Sequence, residues 1–304
     1  MRRFSALTIA GLAALSLTAC GGSDSGSATP GAKASASTAS KALALPEVAG
    51  LVHDQLKSKK SVRMNVDSGD GSPASVAVST ENGTPELEIK MTQEGKELRL
   101  IKTEKAVFME EKDPKQQVAP GKTFTRFAAD SKNPIAKLMV ALVGAMSSVA
   151  DTEQQRALMA AGGTLAGPVP DKVVDTPAQR YTVSIDMAKA LGTIDLRKYL
   201  ASNVALAREV TKGLGAKNDP SLDKLAKLSD ADLAKLKANM LKAVEGKPLT
   251  YEVWADAQNV PLKFSVEAPT KTRDKTTVTL SDWGISPVNA PPAEIVADMP
   301  DLPN

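Results

Sequence analysis

Apolar residues first recur at helical spacing in Val48, Leu51, Val52 and Leu56, with Glu47, Asp54, Lys57 and Lys59 on the other side. With Pro46 in the first turn, this spacing predicts an amphipathic helix over 46–59. The period then changes to two. Val62, Met64 and Val66 alternate with Arg63, Asn65 and Asp67, and Val76 with Val78, Leu87 to Met91, Leu98 with Leu100, and Val107 with Met109 repeat the pattern. Gly69-Asp70-Gly71, Asn82-Gly83 and Glu94-Gly95 supply turns between these runs. Five short strands with one apolar face predict an antiparallel meander. After a loop over 112–123, Phe124 to Phe127 fit one more short strand.

From Asn133 the spacing is helical again, through Ile135, Leu138, Met139, Leu142, Val143, Met146 and Val149. Asp151 or Thr152 caps a following helix that ends near Gly162-Gly163. Gly167, Pro168 and Pro170 predict a loop over 164–172, and Val173-Val174 and Tyr181 to Ile185 return to strand. Residues 187–246 read as helical. Ser229 with Asp232 resembles a capping box, Leu233, Leu236, Met240, Leu241 and Val244 form a stripe, and Gly246 stops it. Lys224, Lys227, Lys235, Lys237 and Lys242 lie among these positions, as a solvated face or as one that rests on anionic headgroups. Strands follow at Tyr251 and Val253, at Leu262, Phe264 and Val266, and at Val278 and Leu280, with turns at 256–259 and 269–274. The Pro-rich stretch 284–304 reads as an extended surface tail. A sheet with one apolar face must be covered, and the segments 133–162 and 187–246 are available to cover it. The expected class is therefore α+β.

The first 41 residues change the picture. Arg2 and Arg3 precede a short apolar run from Leu7 to Leu17, too short to cross a bilayer. Leu17-Thr18-Ala19-Cys20 followed by Gly21-Gly22 resembles the lipobox of bacterial lipoproteins. The resemblance implies that the Cys20 thiol receives a diacylglycerol, with a palmitate-type chain among those attached, and that residues 1–19 are then cut off as a signal peptide. The mature, exported chain would then be held on the outer face of the cell membrane. Residues 21–41, in Gly, Ser, Ala and Thr, read as a flexible linker with a span of roughly 25 Å. This divides the chain into a signal peptide (1–19), a lipidated Cys and linker (20–44) and one folded domain (45–304).

Charge and reactive groups then exclude much. The formal net charge is +3, and without Arg2 and Arg3 it is near neutral, which leaves no basic field for nucleic acid. Cys20 is the only cysteine, so no disulfide forms within one chain and no thiolate zinc site exists. His53 is the only histidine, and on the first predicted helix it reads as a structural side chain. No Gly-x-Ser-x-Gly elbow, phosphate loop or EF-hand spacing is present. No catalytic residue, metal or cofactor is expected, and the expected role is binding by a monomer.

Two C-terminal stretches carry a further resemblance. They are Tyr251-Glu252-Val253-Trp254-Ala255-Asp256 with Val260-Pro261-Leu262-Lys263-Phe264, and Val278-Thr279-Leu280-Ser281-Asp282-Trp283-Gly284 with Pro287-Val288 and Ala290-Pro291-Pro292. Together with the order of elements they resemble the LppX/LprAFG family of actinobacterial lipoproteins. The resemblance implies a curved antiparallel half-barrel, as in LolA/LolB-type carriers. Helices would cover its concave face and leave an apolar cavity for the acyl chains of a lipid or glycolipid. Candidate liners are Met64, Val66, Val78, Ile89, Leu100, Met139, Leu142, Val143, Met146, Val183, Phe264 and Val266. Methionines suit a variable acyl ligand and equally fill gaps in a core. The residues are thus compatible with a lipid carrier and with a filled-core lipoprotein that senses or interacts at the cell surface.

Overall fold

The computed structural model describes residues 42–69, 73–93, 95–149, 152–193, 196–197, 200–201, 204–205, 207–208, 220–243, 247–267, 275–285 and 287–300. The signal peptide, Cys20 and the linker to residue 41 lie outside the described residues, as do Asp151, Val244 to Gly246 and the turn 269–274.

Helix α1 spans Leu45–Lys59. The Ala44 amide donates to Glu47 Oε2 at 2.6 Å, and Lys60, at φ 67°, closes the last turn through its amide to Leu56 O. The meander follows as β1 (Ser61–Asp67), β2 (Ala74–Ser79), β3 (Glu86–Gln93), β4 (Lys96–Lys102), β5 (Ala106–Glu110) and β6 (Phe124–Ala128). Helices α2 (Pro134–Val149) and α3 (Thr152–Gly162) come next, then the hairpin β7 (Gly163–Val173) and β8 (Thr176–Ile185). The long segment contributes α4 (Met187–Thr193), α5 (Pro220–Ala226) and α6 (Asp230–Ala243). The chain closes with β9 (Leu249–Ala255), β10 (Pro261–Glu267), β11 (Lys275–Ser281), a short 3₁₀ turn (Ala293–Ile295) and β12 (Val296–Asp298).

All twelve strands join one sheet, in the order β12-β6-β5-β4-β3-β2-β1-β11-β10-β9-β8-β7. Only the β12–β6 pair is parallel. Strand β11 slots beside β1, with Met64 opposite Leu280 and Val66 opposite Val278, and so welds the C-terminal strands to the meander. The sheet is open, with β12 and β7 as its edges. Adjacent strands twist by roughly 20–25°, so an open sheet this wide curls. The α+β class with a curved antiparallel sheet is borne out.

Two stretches differ from the sequence reading. Residues 164–172 are not a loop: they form most of β7. Pro168 and Pro170 are tolerated there because β7 is an edge strand, and its register shifts between Ala166 and Val169. The Pro-rich tail is not wholly extended surface chain. Val288 is 7% exposed, and Val296–Asp298 pair with Phe124–Arg126.

One face of the sheet is apolar from β5 to β8. Helix α2 packs on β5 and β6, α3 on β7 and β8, and α1 reaches from β1 to β10 and β7 while packing on α3. The α3–β7 junction demands glycine. A Cβ on Gly162 would sit 2.5 Å from Asp186 O, and one on Gly163 would sit 2.4 Å from Met159 O.

Candidate functional site

Strict alternation sends Met64, Val66, Val78, Ile89 and Leu100 to the same face. Across the ladders Val76 faces Met64 and Ile89, and Ile89 also faces Leu100. Val66, Val78, Ile89, Leu100 and Val143 belong to one buried cluster with Val62, Val76, Leu87, Val107, Phe127, Val278 and Leu280. Met64 and Met139 are half-buried against it. Val183 lies in a second cluster, with Val48, Met159, Tyr181, Ile185, Tyr251 and Val253, and Val266 packs on that one. Phe264 touches both clusters. It stacks on Tyr251 with ring centroids 5.8 Å apart, so the two clusters share one aromatic bridge. Leu142 is half-buried on α2. Met146 is on α2, and its side chain lies outside the described residues.

Two tyrosines put hydroxyls into the second cluster. Burial pushes the Tyr251 phenol up. The Tyr181 hydroxyl is buried, and it has no hydrogen-bond partner among the described residues. A buried hydroxyl without a partner costs free energy, which a polar atom within its reach would recover. The sequence held no signal for this, since Tyr181 reads there only as one more strand position.

The opposite face carries charge and hydroxyls and stiffens the sheet. Glu252 accepts from Arg180 at 3.0 Å, from Lys275 at 2.9 Å and from Ser265 at 3.1 Å. Burial pushes its carboxyl up, but Lys275, Ser265 and Arg180 outweigh this and hold it below the ordinary value. Glu88 is held down in the same way: burial raises it, and Arg99 at 2.7 Å and Lys90 at 3.2 Å overcome that. The Trp254 indole donates to Asp171 Oδ2 at 2.9 Å, which lowers the Asp171 carboxyl. Lys263 lies 4.3 Å from the centre of the Trp254 ring. These groups pair with one another in a manner that stabilises strand alignment.

At one end of the sheet lies an open concavity of about 740 Å³. Most of its wall comes from the polar face, with Asn65, Ser75, Lys90, Thr92, Arg99 and Lys112 among it, and Val66, Ala74, Met91 and Leu98 also border it. Met91 and Leu98 already alternate with polar neighbours in the sequence. Their half-exposure is a property of the assembled sheet and has no sequence signal. Among the described residues no three His, Cys, Asp or Glu side chains gather to hold a metal. No helix among them is long and apolar enough to cross a membrane. His53 is half-buried on α1.

No family model matches the chain, and no curated protein matches it. Its fold is similar to that of LprF from Mycobacterium bovis, at 13% identity and a TM-score of 0.39, over 81% of this chain and 97% of that one. It is similar to the lipoprotein LppX from Mycobacterium tuberculosis, at 15% identity and a TM-score of 0.38, over 81% and 97%. A chain of the Pseudomonas aeruginosa MucA/MucB complex matches at 8% identity and a TM-score of 0.31, over 77% of this chain and 56% of that chain.

Proposed function

We propose that this chain is a membrane-tethered, non-enzymatic lipoprotein that holds the acyl chains of a lipid or glycolipid between the apolar face of its sheet and the helices. The observation that carries this reading is the buried, unpartnered Tyr181 hydroxyl in an otherwise apolar cluster that Phe264 joins to the methionine-bearing one. An ester or amide carbonyl of a lipid would satisfy that hydroxyl, while Met64, Met139, Leu142, Val143, Phe264 and Val266 would meet its chains. Residues 45–304 would act as one domain, and Cys20 and the linker would keep it on the outer face of the cell membrane. Glu88 and Glu252 are engaged with cations of their own face.

The test is native mass spectrometry of the purified chain after exposure to vesicles of its host's lipids, repeated for Tyr181→Phe. We expect a stoichiometric lipid adduct. Tyr181→Phe should weaken it by roughly tenfold, the worth of about one hydrogen bond, while leaving the melting temperature unchanged or higher. A chain that never takes up lipid overturns the reading.

A second reading has its own support. Val66, Val78, Ile89, Leu100, Val143 and Val183 are all nearly inaccessible, as in a filled core. In that case the protein would act by its exposed surface, as a sensing or interaction lipoprotein.

A further inference from the structure

Burial along the strands of the meander from β1 to β5 follows a single direction in space. Strand β2 is half-buried at Ala74-Ser75 and buried over 76–79. Strand β4 is exposed at Lys96-Glu97 and buried at Leu100-Ile101. Strand β5, running the other way, is buried over 106–108 and half-buried at Met109-Glu110. Strand β1 is buried at Ser61-Val62 and exposed at Asp67. These strands of the meander therefore lose burial at the same end, the end bearing the β1–β2, β3–β4 and β5–β6 connections, whereas β6 and β8 stay buried there, at Phe124-Thr125 and at Ile185. On the apolar face this leaves Ala74, Met91, Leu98 and Met109 half-buried, while Val78, Leu87, Leu100 and Val107 further along the same strands are buried. Ala74 pairs with Met91 and Met91 with Leu98, so three of the four form a continuous row on the apolar face.

The chain enters at that same end. Helix α1 runs into β1 through Lys60, at the opposite end, so its start lies toward the half-buried one. Leu43 and Leu45 pack on the cluster that Leu165, Met187 and Val266 also join, and these three lie near the strand ends on that side. Only residues 21–42 separate this point from Cys20, a span of roughly 25 Å. With the opposite end toward the membrane, much of that span would be used in running back along strands that are themselves about 23 Å long.

We propose that this end of the sheet is the surface applied to a phospholipid bilayer, with Met91 and Leu98 as its apolar lip. The proposal rests on the tethered lipid-carrier reading and gives it an orientation, with the half-buried end of the meander toward the source of lipid. Lys90 and Lys112 at this end are already paired, with Glu88 and Glu97, so docking led by the apolar row should persist at high salt, unlike a contact made by basic residues.

The experiment couples the full chain through the Cys20 thiol to a maleimide-bearing phospholipid in phosphatidylcholine–phosphatidylglycerol vesicles. The vesicles carry a second phospholipid with a photoactivatable group on its headgroup. After illumination, adducts should concentrate in residues 89–100 and 109–112, at low and high salt alike. Met91→Asp with Leu98→Asp should lower them roughly tenfold or more, since each side chain then gives up apolar burial. Adducts concentrated at 80–85, 172–176 or 282–285 overturn the orientation, as does a salt-sensitive or uniform pattern. If the double variant does not fold, the wild-type map alone decides. Native mass spectrometry separates this from the function: lipid uptake with adducts at the wrong end sinks the orientation only, and adducts at 89–100 without uptake sink the carrier.

Discussion

At the residue scale, two carboxylates on the polar face set how the fold responds to acid. Glu252 and Glu88 ordinarily titrate near 4.5, and in the folded chain both are held lower by their cations despite burial. The unfolded chain therefore binds protons more readily than the folded one as pH falls through this range. Stability from these pairs is fully present above about pH 4.5 and is lost as pH drops through the lower folded values. The melting temperature should fall steeply below pH 4.5 in a pH series. Glu252→Gln should cost about 1–3 kcal/mol at neutral pH and flatten the acid slope; an unchanged slope would remove Glu252 from the account. No spacing in the sequence marked these two residues, because Arg180, Ser265 and Lys275 come together around Glu252 only through the β8–β9–β10–β11 register.

At the scale of elements, the C-terminal tail acts as a patch on the polar side of the sheet. Val288, Ile295 and Val296 pack on Ala77, Ile101, Ala106, Phe108 and Phe124, a satellite core away from the helices. Lys122 donates to Glu294 O and Arg126 pairs with Asp298, which hold the tail in place. Val288→Asp would bury a charge among aromatic rings, and we expect a loss of more than about 2 kcal/mol, read as a lower urea midpoint. Hydrogen exchange should rise first in β5 and β6. If β1 to β3 loosened equally early, the tail would not be a local patch. Here the sequence misled in an instructive way. Prolines in 284–304 speak for an extended chain, and an extended chain can still pair with an edge strand, as β12 does with β6. The same holds for 164–172, where Pro168 and Pro170 broke the alternation but not the strand. The meander itself was legible because alternation and turn residues agreed along five successive strands.

For the whole molecule, a chamber and a packed core between sheet and helices respond differently to added side-chain volume. Alternation put the strand candidates Met64, Val66, Val78, Ile89 and Leu100 on one face of the sheet. It carried no information on the spacing between α2 and the sheet, since a filled core and a lined chamber have the same polar and apolar order. Met139, half-buried on α2 against the first cluster, separates the two physically. In a packed core Met139→Trp forces neighbours out of their rotamers and costs about 1–3 kcal/mol, roughly 2–4 °C in melting temperature for each kcal/mol in a chain of this size. In a chamber the indole occupies space that an acyl chain would use. The variant then keeps its melting temperature and loses lipid adduct in native mass spectrometry by roughly tenfold or more, as several buried methylenes forfeit contact. We expect the second outcome. A destabilised Met139→Trp with undiminished lipid uptake would move the ligand away from α2, and a destabilised variant of a chain that takes up no lipid would leave the surface-interaction reading standing. The Leu142→Trp variant, one turn along and outside both buried clusters, tells a local clash from a filled chamber, because only a chamber makes both substitutions compete for the same chains.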